Sequence, residues 1–486
     1  MAAAYLVAYR GRTLANAINE LRRLLPFGEL QADIASALEM WERLHPCSHP
    51  IGVNLAENDL EGLPGDESGP ALFKGDVSLA FPGGDLHPSG IEAVLQTLPH
   101  SVSATSLLRL DLALCALNES AAISISALLR RSSSVLELKL FGCDLTDSAL
   151  ATVLRSLYPS SLFFDEDEPP PHNRSLRHLD LGRNLFASDA KDALTLLARR
   201  NVTLESLALD SCGLADAAFL GSLVECLDRN RGSAIRALSL NDTDLSTLSR
   251  DFFVSASHLQ LNSLSLCRCN IDVSDLPADI ARNLLLDGNK VSDPDGLSAT
   301  LNAAEAVRGL SVSACGLGSS CVEIVGALST GTSARTLGTL NVSYNPMGRD
   351  KSHVFGTLLQ HLDRLSVLRL EHCDLKTKGA VSVFQNVRCV CLLDLDLSFN
   401  DIHDSCDRAL CHFLKSARNL RVLRVAFNQI TADVVPQVEE SLRVAGETDA
   451  KTSFLELTID TEGNPCGANA FGCPFLCRRK FTNEHK

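Results

Sequence analysis

One eleven-residue frame recurs along this 486-residue chain, and its clearest copy is Leu365–Leu375. Leu365, Leu368, Leu370, Cys373 and Leu375 occupy its first, fourth, sixth, ninth and eleventh positions. The two central leucines alternate with other residues, the period-two pattern of a short strand with one buried face. The ninth position carries Asn or Cys, where the chain must turn out of the strand. An amide or a thiol there can meet backbone groups that the sheet no longer satisfies. A single copy cannot bury its leucines alone. Stacked copies share a continuous core, so such a chain grows by adding units, and its length sets no domain count.

From Leu107 onward the frame is regular. Its sixth position falls at Leu112, Leu140, Leu181, Leu209, Leu240, Leu266, Leu286, Val312, Val342, Leu370, Leu397 and Val425. Looser copies stand at Val53–Leu60, at Val77, Leu79 and Leu86, and in a last unit with Leu457 and Ile459. Most intervals leave room for a strand, a turn, a helix and a return loop. Leu145–Leu157 predicts such a helix, begun by Thr146 and Asp147, with Leu150, Val153, Leu154 and Leu157 on its buried stripe. Leu266 to Leu286 is too short for a full helix and contains Pro277, so a brief turn is expected there. Leu140 to Leu181 is too long. Its excess, Tyr158–Ser175, holds the run Asp165–Pro171, a sequence unable to bury apolar area and expected to protrude.

The spacing is the leucine-rich-repeat signature. From Cys143 the ninth position runs Cys, Asn184, Cys212, Thr243, Cys269, Asn289, Cys315, Asn345, Cys373, Asn400. This alternation resembles the ribonuclease-inhibitor-like subfamily over roughly Leu107–Ile459. The resemblance implies an α/β leucine-rich-repeat horseshoe solenoid, with a parallel β-sheet on the concave face and helices on the convex face. It also implies an intracellular protein-binding role. The expected organisation is a helical N-terminal cap over 1–48, a solenoid of about fifteen repeats over 49–461, and an irregular C-terminal cap or tail over 462–486.

The two ends hold other motifs. Leu14, Ile18, Leu21 and Leu25, and then Leu30, Ile34, Leu38, Trp41 and Leu44, form helical stripes suited to a cap. Leu25, Pro26, Leu30, Ile34 and Leu38 also resemble the opening of an F-box, the motif of ubiquitin-ligase substrate adaptors. The early arginines have the charge of a transit peptide, although serine is absent there and Glu20 interrupts them. In the tail, Cys466, Cys473 and Cys477 precede Arg478–Lys480. Their spacing is poor for zinc, and palmitoylation is the other chemistry open to them.

A net charge of −15 opposes binding to nucleic acid or to anionic membranes. No apolar run is long enough for a transmembrane segment. Cys115, Cys143, Cys212, Cys269, Cys315 and Cys373 sit in the turn position, which points to buried thiols in a reducing compartment. No signal peptide is evident, and the sequons at Asn118, Asn173, Asn201, Asn241 and Asn341 are then fortuitous. The expected location is cytoplasmic, with cytoskeletal association compatible with the class.

Frame positions three, five and seven face the concave side. In the middle repeats they are Ser206, Ala208 and Asp210; Ala237, Ser239 and Asn241; Ser263, Ser265 and Cys267; Gly309, Ser311 and Ser313; Thr339, Asn341 and Ser343. Such a floor lacks the aromatic and arginine anchors of tight interfaces. The flanks are richer. Arg109, Asp111, Glu137, Lys139, Phe141, His178 and Asp180 lie toward one end; Arg369, Glu371, Asp394, Asp396 and Arg424 lie toward the other. They are the candidate partner-binding residues, or else a ladder of charges that satisfy one another across strands. No phosphate-binding loop, nucleophile elbow, metalloprotease or paired zinc motif is present. No catalytic residue, cofactor or metal is therefore expected. The expected function is a non-enzymatic scaffold that binds other proteins and is monomeric by itself. The rival roles are an F-box-like substrate adaptor and a GTPase-activating protein resembling the Ran activator, whose acidic C-terminal tail this chain lacks.

Deleting Phe163–His172 is expected to leave the calorimetric melting temperature nearly unchanged, because a protruding loop contributes few contacts. A large drop would show that the acidic stretch packs against the repeats.

Overall fold

A computed structural model describes residues 77–80, 91, 94–96, 98, 107–159, 172–277, 279–304, 307–348, 351–388, 390–447 and 457–466. The expected cap with its F-box-like stretch, the acidic run Asp165–Pro171 and the tail cysteines Cys473 and Cys477 lie outside these residues. The chain divides into two units, Met1–Thr243 and Asp244–Lys486.

In the first unit the strands are β1 (Val77–Ala80), β2 (Leu107–Asp111), β3 (Glu137–Lys139), β4 (His178–Asp180), β5 (Ser206–Ala208) and β6 (Ala237–Ser239). They pair in parallel and in chain order. The register aligns the fourth frame position of every repeat, so Leu110, Leu138, Leu179, Leu207 and Leu238 form one buried row. Helices Glu119–Arg131, Asp147–Leu154, Ser188–Arg200 and Ala217–Arg229 return the chain. The second of these begins where the sequence placed it, with Thr146 as N-cap: its hydroxyl accepts from the Ala149 N–H at 3.2 Å. It ends at Leu154, short of Leu157.

The second unit holds β7 (Leu261–Ser265), β8 (Ala281–Leu285), β9 (Gly309–Ser311), β10 (Thr339–Asn341), β11 (Val367–Arg369), β12 (Asp394–Asp396), β13 (Val422–Arg424) and β14 (Thr458–Asp460). All are parallel and follow chain order. The short interval between β7 and β8 contains a 3-10 turn, Val273–Asp275, in place of an α-helix. Elsewhere helices pack on helices and strands on strands. Each unit is thus an α/β leucine-rich-repeat solenoid, its leucine rows shared between strands and helices.

The turn position supplies the links between repeats. The Asn345 amide donates to the carbonyls of Val312, Val342 and Ser343 at 2.9, 3.0 and 3.1 Å. Its oxygen accepts from Cys315 N and Leu317 N of the preceding repeat at 3.2 and 3.0 Å. Asn400 repeats this toward Leu370, Cys373 and Leu375, and Asn289 toward Leu266, Cys269 and Ile271. A cysteine in the slot reaches less far. The Cys373 thiol donates to Val342 O at 3.4 Å, and the backbone carbonyl of Cys373 receives Met347 N at 2.9 Å. The N–H two residues past the slot is therefore met by an amide oxygen where the next slot is Asn and by a main-chain carbonyl where it is Cys.

The far end departs from the alternating pattern. The alternation stops after Asn400, because Asn428 and Asn464 both fill slots. Ile459 pairs with Leu423, which puts Thr461 in the sixth position and Asn464 in the ninth. Asn464 thus fills a slot of the same kind, and Cys466 N donates to Ile430 O at 2.9 Å.

Three sequon asparagines also have structural duties. The Asn173 amide donates to Leu129 O and Ser132 O at 2.9 and 3.1 Å, tying the end of helix Glu119–Arg131 to the point where the long insertion rejoins the repeat. The Asn201 amide donates to Leu157 O at 2.8 Å, and the Asn118 side chain caps helix Glu119–Arg131. A glycan on Asn173 or Asn201 would have to displace these bonds.

Asn345→Ala is expected to lose about 3–5 kcal/mol in urea denaturation, because it leaves several buried backbone groups unmet. Cys373→Ala, which removes one weak donor and a small volume, is expected to lose about 1–2 kcal/mol. Equal losses would contradict the account of the slot.

Candidate functional site

The register brings the candidate charges together within each unit. Across β2, β3 and β4, Arg109 lies beside Glu137 and then His178, and Asp111 beside Lys139 and then Asp180. Arg109 pairs with Glu137 at 3.3 Å, and Lys139 with Asp111 and Glu137 at 3.4 and 3.3 Å. Partial burial opposes the Lys139 charge, but the two carboxylates outweigh it and hold its pKa above the usual lysine value. Burial raises the Asp180 carboxyl, against a hydrogen bond from Gly182 N that stabilises the anion. His178 is exposed, and Phe141 lies against Gly182 with the Arg183 guanidinium 5.7 Å from its ring centre.

In the second unit Asp394 is the hub. Arg424 meets it at 2.7 Å and Arg369 at 3.9 Å, while Arg424 also approaches Asp396 at 3.9 Å. Glu371 accepts the Tyr344 hydroxyl at 2.5 Å. This hydrogen bond, then burial and nearby carboxylates, push the Tyr344 phenol up to about 12. Most of the candidate charges therefore already have partners within their own sheet. Ion pairs this exposed contribute little to stability.

The polar floor is tied down as well. Asp210 accepts from the Ser239 hydroxyl and from Asn241 N, and Asp287 from the Ser311 hydroxyl at 2.6 Å and from Ser313 N at 2.8 Å. Asn341 in turn donates to the Ser311 oxygen at 2.9 Å. The seventh position of one repeat thus anchors the fifth of the next, and these hydroxyls are committed within the protein.

The larger feature lies at the eighth position, which the sequence analysis did not consider. In the repeats from Leu114 to Gly463, this residue has positive φ wherever it is described. Glycine fills it at Gly142, Gly288 and Gly463. In the last repeats it is instead Tyr344, His372, Phe399 and Phe427, at φ of 58°, 54°, 57° and 51°. That conformation is costly for bulky side chains, about 1–2 kcal/mol each. Each N–H is held by the next repeat: Tyr344 N donates to Glu371 O, His372 N to Ser398 O and Phe399 N to Ala426 O, at 2.8, 3.0 and 3.0 Å.

The four rings stack in sequence, with centroid separations of 5.5, 6.2 and 4.3 Å and interplanar angles of 20°, 20° and 9°. The row ends where Phe427 lies over Gly463, whose φ of 71° and close approach to that ring leave no room for a Cβ. Tyr344, Phe399 and Phe427 are 47%, 42% and 43% exposed. The sequence signal was the residue just before each turn-slot Asn or Cys. Periodicity alone does not show that it adopts a left-handed conformation and projects outward.

The turn-slot thiols offer no nucleophile. Burial pushes Cys143, Cys212 and Cys373 up to about 12 and Cys315 up to about 11, so each is a neutral thiol at physiological pH. Among the described residues no cluster of His, Cys, Asp and Glu suits a metal ion, and no helix is long and apolar enough to cross a membrane.

A family model described as Leucine Rich repeat matches residues 172–186 and 388–405. The human NACHT, LRR and PYD domains-containing protein 5 is 27% identical over 309 residues, covering 56% of this chain and 25% of that protein. The chain thus spans about a quarter of the length of that curated relative. Among solved structures, an internalin from Listeria monocytogenes aligns with a TM-score of 0.34 at 16% identity, covering 76% of this chain and 84% of that one. A chain of the yeast Rad7 and Elc1 complex aligns with a TM-score of 0.40 at 17% identity, covering 60% and 74%. An LRR protein of Leptospira interrogans aligns with a TM-score of 0.38 at 17% identity, covering 80% and 78%.

The thiols give a pH signature. An unfolded thiol ionises near 9, whereas the buried ones stay neutral until about 11–12. Above pH 9 the unfolded chain therefore binds fewer protons than the folded one. The thiol contribution is complete below that pH and is lost as pH rises toward the folded values. Urea denaturation between about pH 8 and 10.5 is expected to show falling stability, with a shallower fall in the C212A/C373A double variant. Identical slopes would contradict burial of these thiols.

Proposed function

We propose that this leucine-rich-repeat chain is a non-enzymatic protein-interaction scaffold. The observation that carries this reading is the exposed row Tyr344, His372, Phe399 and Phe427, held outward from four successive turns. Contiguous exposed apolar surface of this kind marks contact with other macromolecules. Aromatic anchors are the groups on which protein interfaces most depend. The surrounding carboxylates and the net charge of −15 favour a protein partner over a phosphate-rich one.

The charged groups at the two ends act in this reading as a steering rim. Arg109 and Lys139 serve the first unit, and Arg369 and Arg424 the second; Asp111, Glu137, Asp394 and Asp396 hold them in place. The regular interval and the Cys and Asn turn positions support a ribonuclease-inhibitor-like repeat. The buried neutral thiols support a reducing, cytoplasmic location.

Reversing charge at Arg109 and Lys139 is expected to weaken a captured protein partner by ~1–3 kcal/mol, measured by calorimetric titration. S239A/S265A is expected to leave affinity unchanged. Sensitivity of the serines with silent charges would place the partner deep along the floor and overturn this arrangement.

A further inference from the structure

We propose that the Tyr344–His372–Phe399–Phe427 row docks an extended, basic polypeptide segment, with lysine and arginine stems on the rings and their charged heads on flanking carboxylates. The proposal rests on the scaffold reading and names the partner's chemistry.

The ring geometry selects for stems. The four rings face one another along the row, so the stacking leaves their edges as the uncovered surface between Tyr344 and Phe427. Ring edges suit aliphatic chains. Lysine and arginine lay their methylenes on such surfaces while their heads remain in polar surroundings. The three steps between repeats, each about 4.8 Å, are covered by about four to five residues of extended chain.

The charges on either side select for cations. Before the eighth position in the frame, on the strand side, come Glu371, Asp396, Asp460 and Glu462; two residues after His372 and Phe399, on the outer side, come Asp374 and Asp401, the latter also 3.4 Å from His403 Nε2. The protein shows how a cation lodges on the outer side, because Lys376 bridges Asp374 and Asp401 at 2.9 and 3.0 Å. On the strand side Arg424 is engaged by Asp394. Among the described residues Glu371, Asp460 and Glu462 have no cation within ion-pair distance. An anionic partner would meet this excess of carboxylate head-on, and a purely apolar one would leave it unused.

The surface is also preorganised. Left-handed backbone, hydrogen bonds to the next repeat and ring stacking fix the four side chains before any partner arrives, so little conformational freedom remains to be lost on binding.

The test is fluorescence anisotropy on the full chain, with a fluorescein-labelled octapeptide of alternating arginine and leucine. A matched peptide with glutamate in place of arginine serves as comparison. Salt-sensitive binding of the arginine peptide is expected, at least tenfold weaker in both F399S/F427S and E371Q/E462Q, with the glutamate peptide unbound. Thermal melts by circular dichroism report whether each variant is folded; if F399S/F427S is not, E371Q/E462Q decides alone. The proposal is overturned if the wild-type chain fails to bind the arginine peptide at millimolar concentration. It is equally overturned if folded variants bind as tightly as wild type, or if the glutamate peptide binds equally well. In parallel, protein complexes retained equally by wild type and F399S/F427S would keep the scaffold reading and remove this site. Absence of any retained complex would remove the scaffold reading, while the peptide titration still decides the site.

Discussion

The fold depends on the polar side chain at the exit of each strand, most of all where it is an asparagine amide. Three-residue strands expose more backbone than their neighbours can satisfy, and every repeat ends in a turn whose N–H groups point into the core. Asn289, Asn345, Asn400, Asn428 and Asn464 answer that need by donating to two repeats and accepting from the one before. The leucine rows supply most of the burial, but burial is non-directional. The amide sets the spacing and the register, because its donors and acceptors reach their partners only when adjacent turns superimpose. Cysteine occupies the same volume with a weaker donor, and the main-chain carbonyl takes over the acceptor's task.

That constraint has a consequence for the surface. A strand that must turn sharply into the slot adopts positive φ at the residue before it. In several repeats glycine relieves the strain, as at Gly142 and Gly288. From Tyr344 to Phe427 the chain instead carries aromatic groups there and bears the conformational cost. Stacking at 4.3–6.2 Å offsets part of it. Strained positions that keep bulky exposed side chains point toward a working surface, with the inference running from the observed backbone to the function.

Much of this fold was legible because a repeat writes its burial pattern directly in sequence. The sixth-position residues from Leu112 to Val425 are buried, and the short interval after Leu266 lacks a helix as its proline and length required. The last unit was less legible. Leu457 and Ile459 suggested one alternation, while the sheet uses Ile459 and Thr461, a register that only pairing with Leu423 specifies. The candidate residues were placed along the sheet, but not their contacts. Arg424, Asp394 and their counterparts were found by position, but their mutual pairing depends on which strands become neighbours. The aromatic row was not seen, since a period-two pattern describes the strand and says nothing of the residue that leaves it. Tyr344 and Phe427 are far apart in sequence and meet the same row only through the stacking of turns.

Site-specific photo-crosslinking tests the central claim that the eighth-position row, and not the strand floor, is the working surface. A benzophenone amino acid would replace His372 or Phe399 in one pair of proteins and Ser265 or Ser311 in another, each irradiated in cell extract. Polypeptide adducts at positions 372 and 399, with none at 265 and 311, are the predicted result. Adducts confined to 265 and 311 would contradict it and move the interaction to the floor.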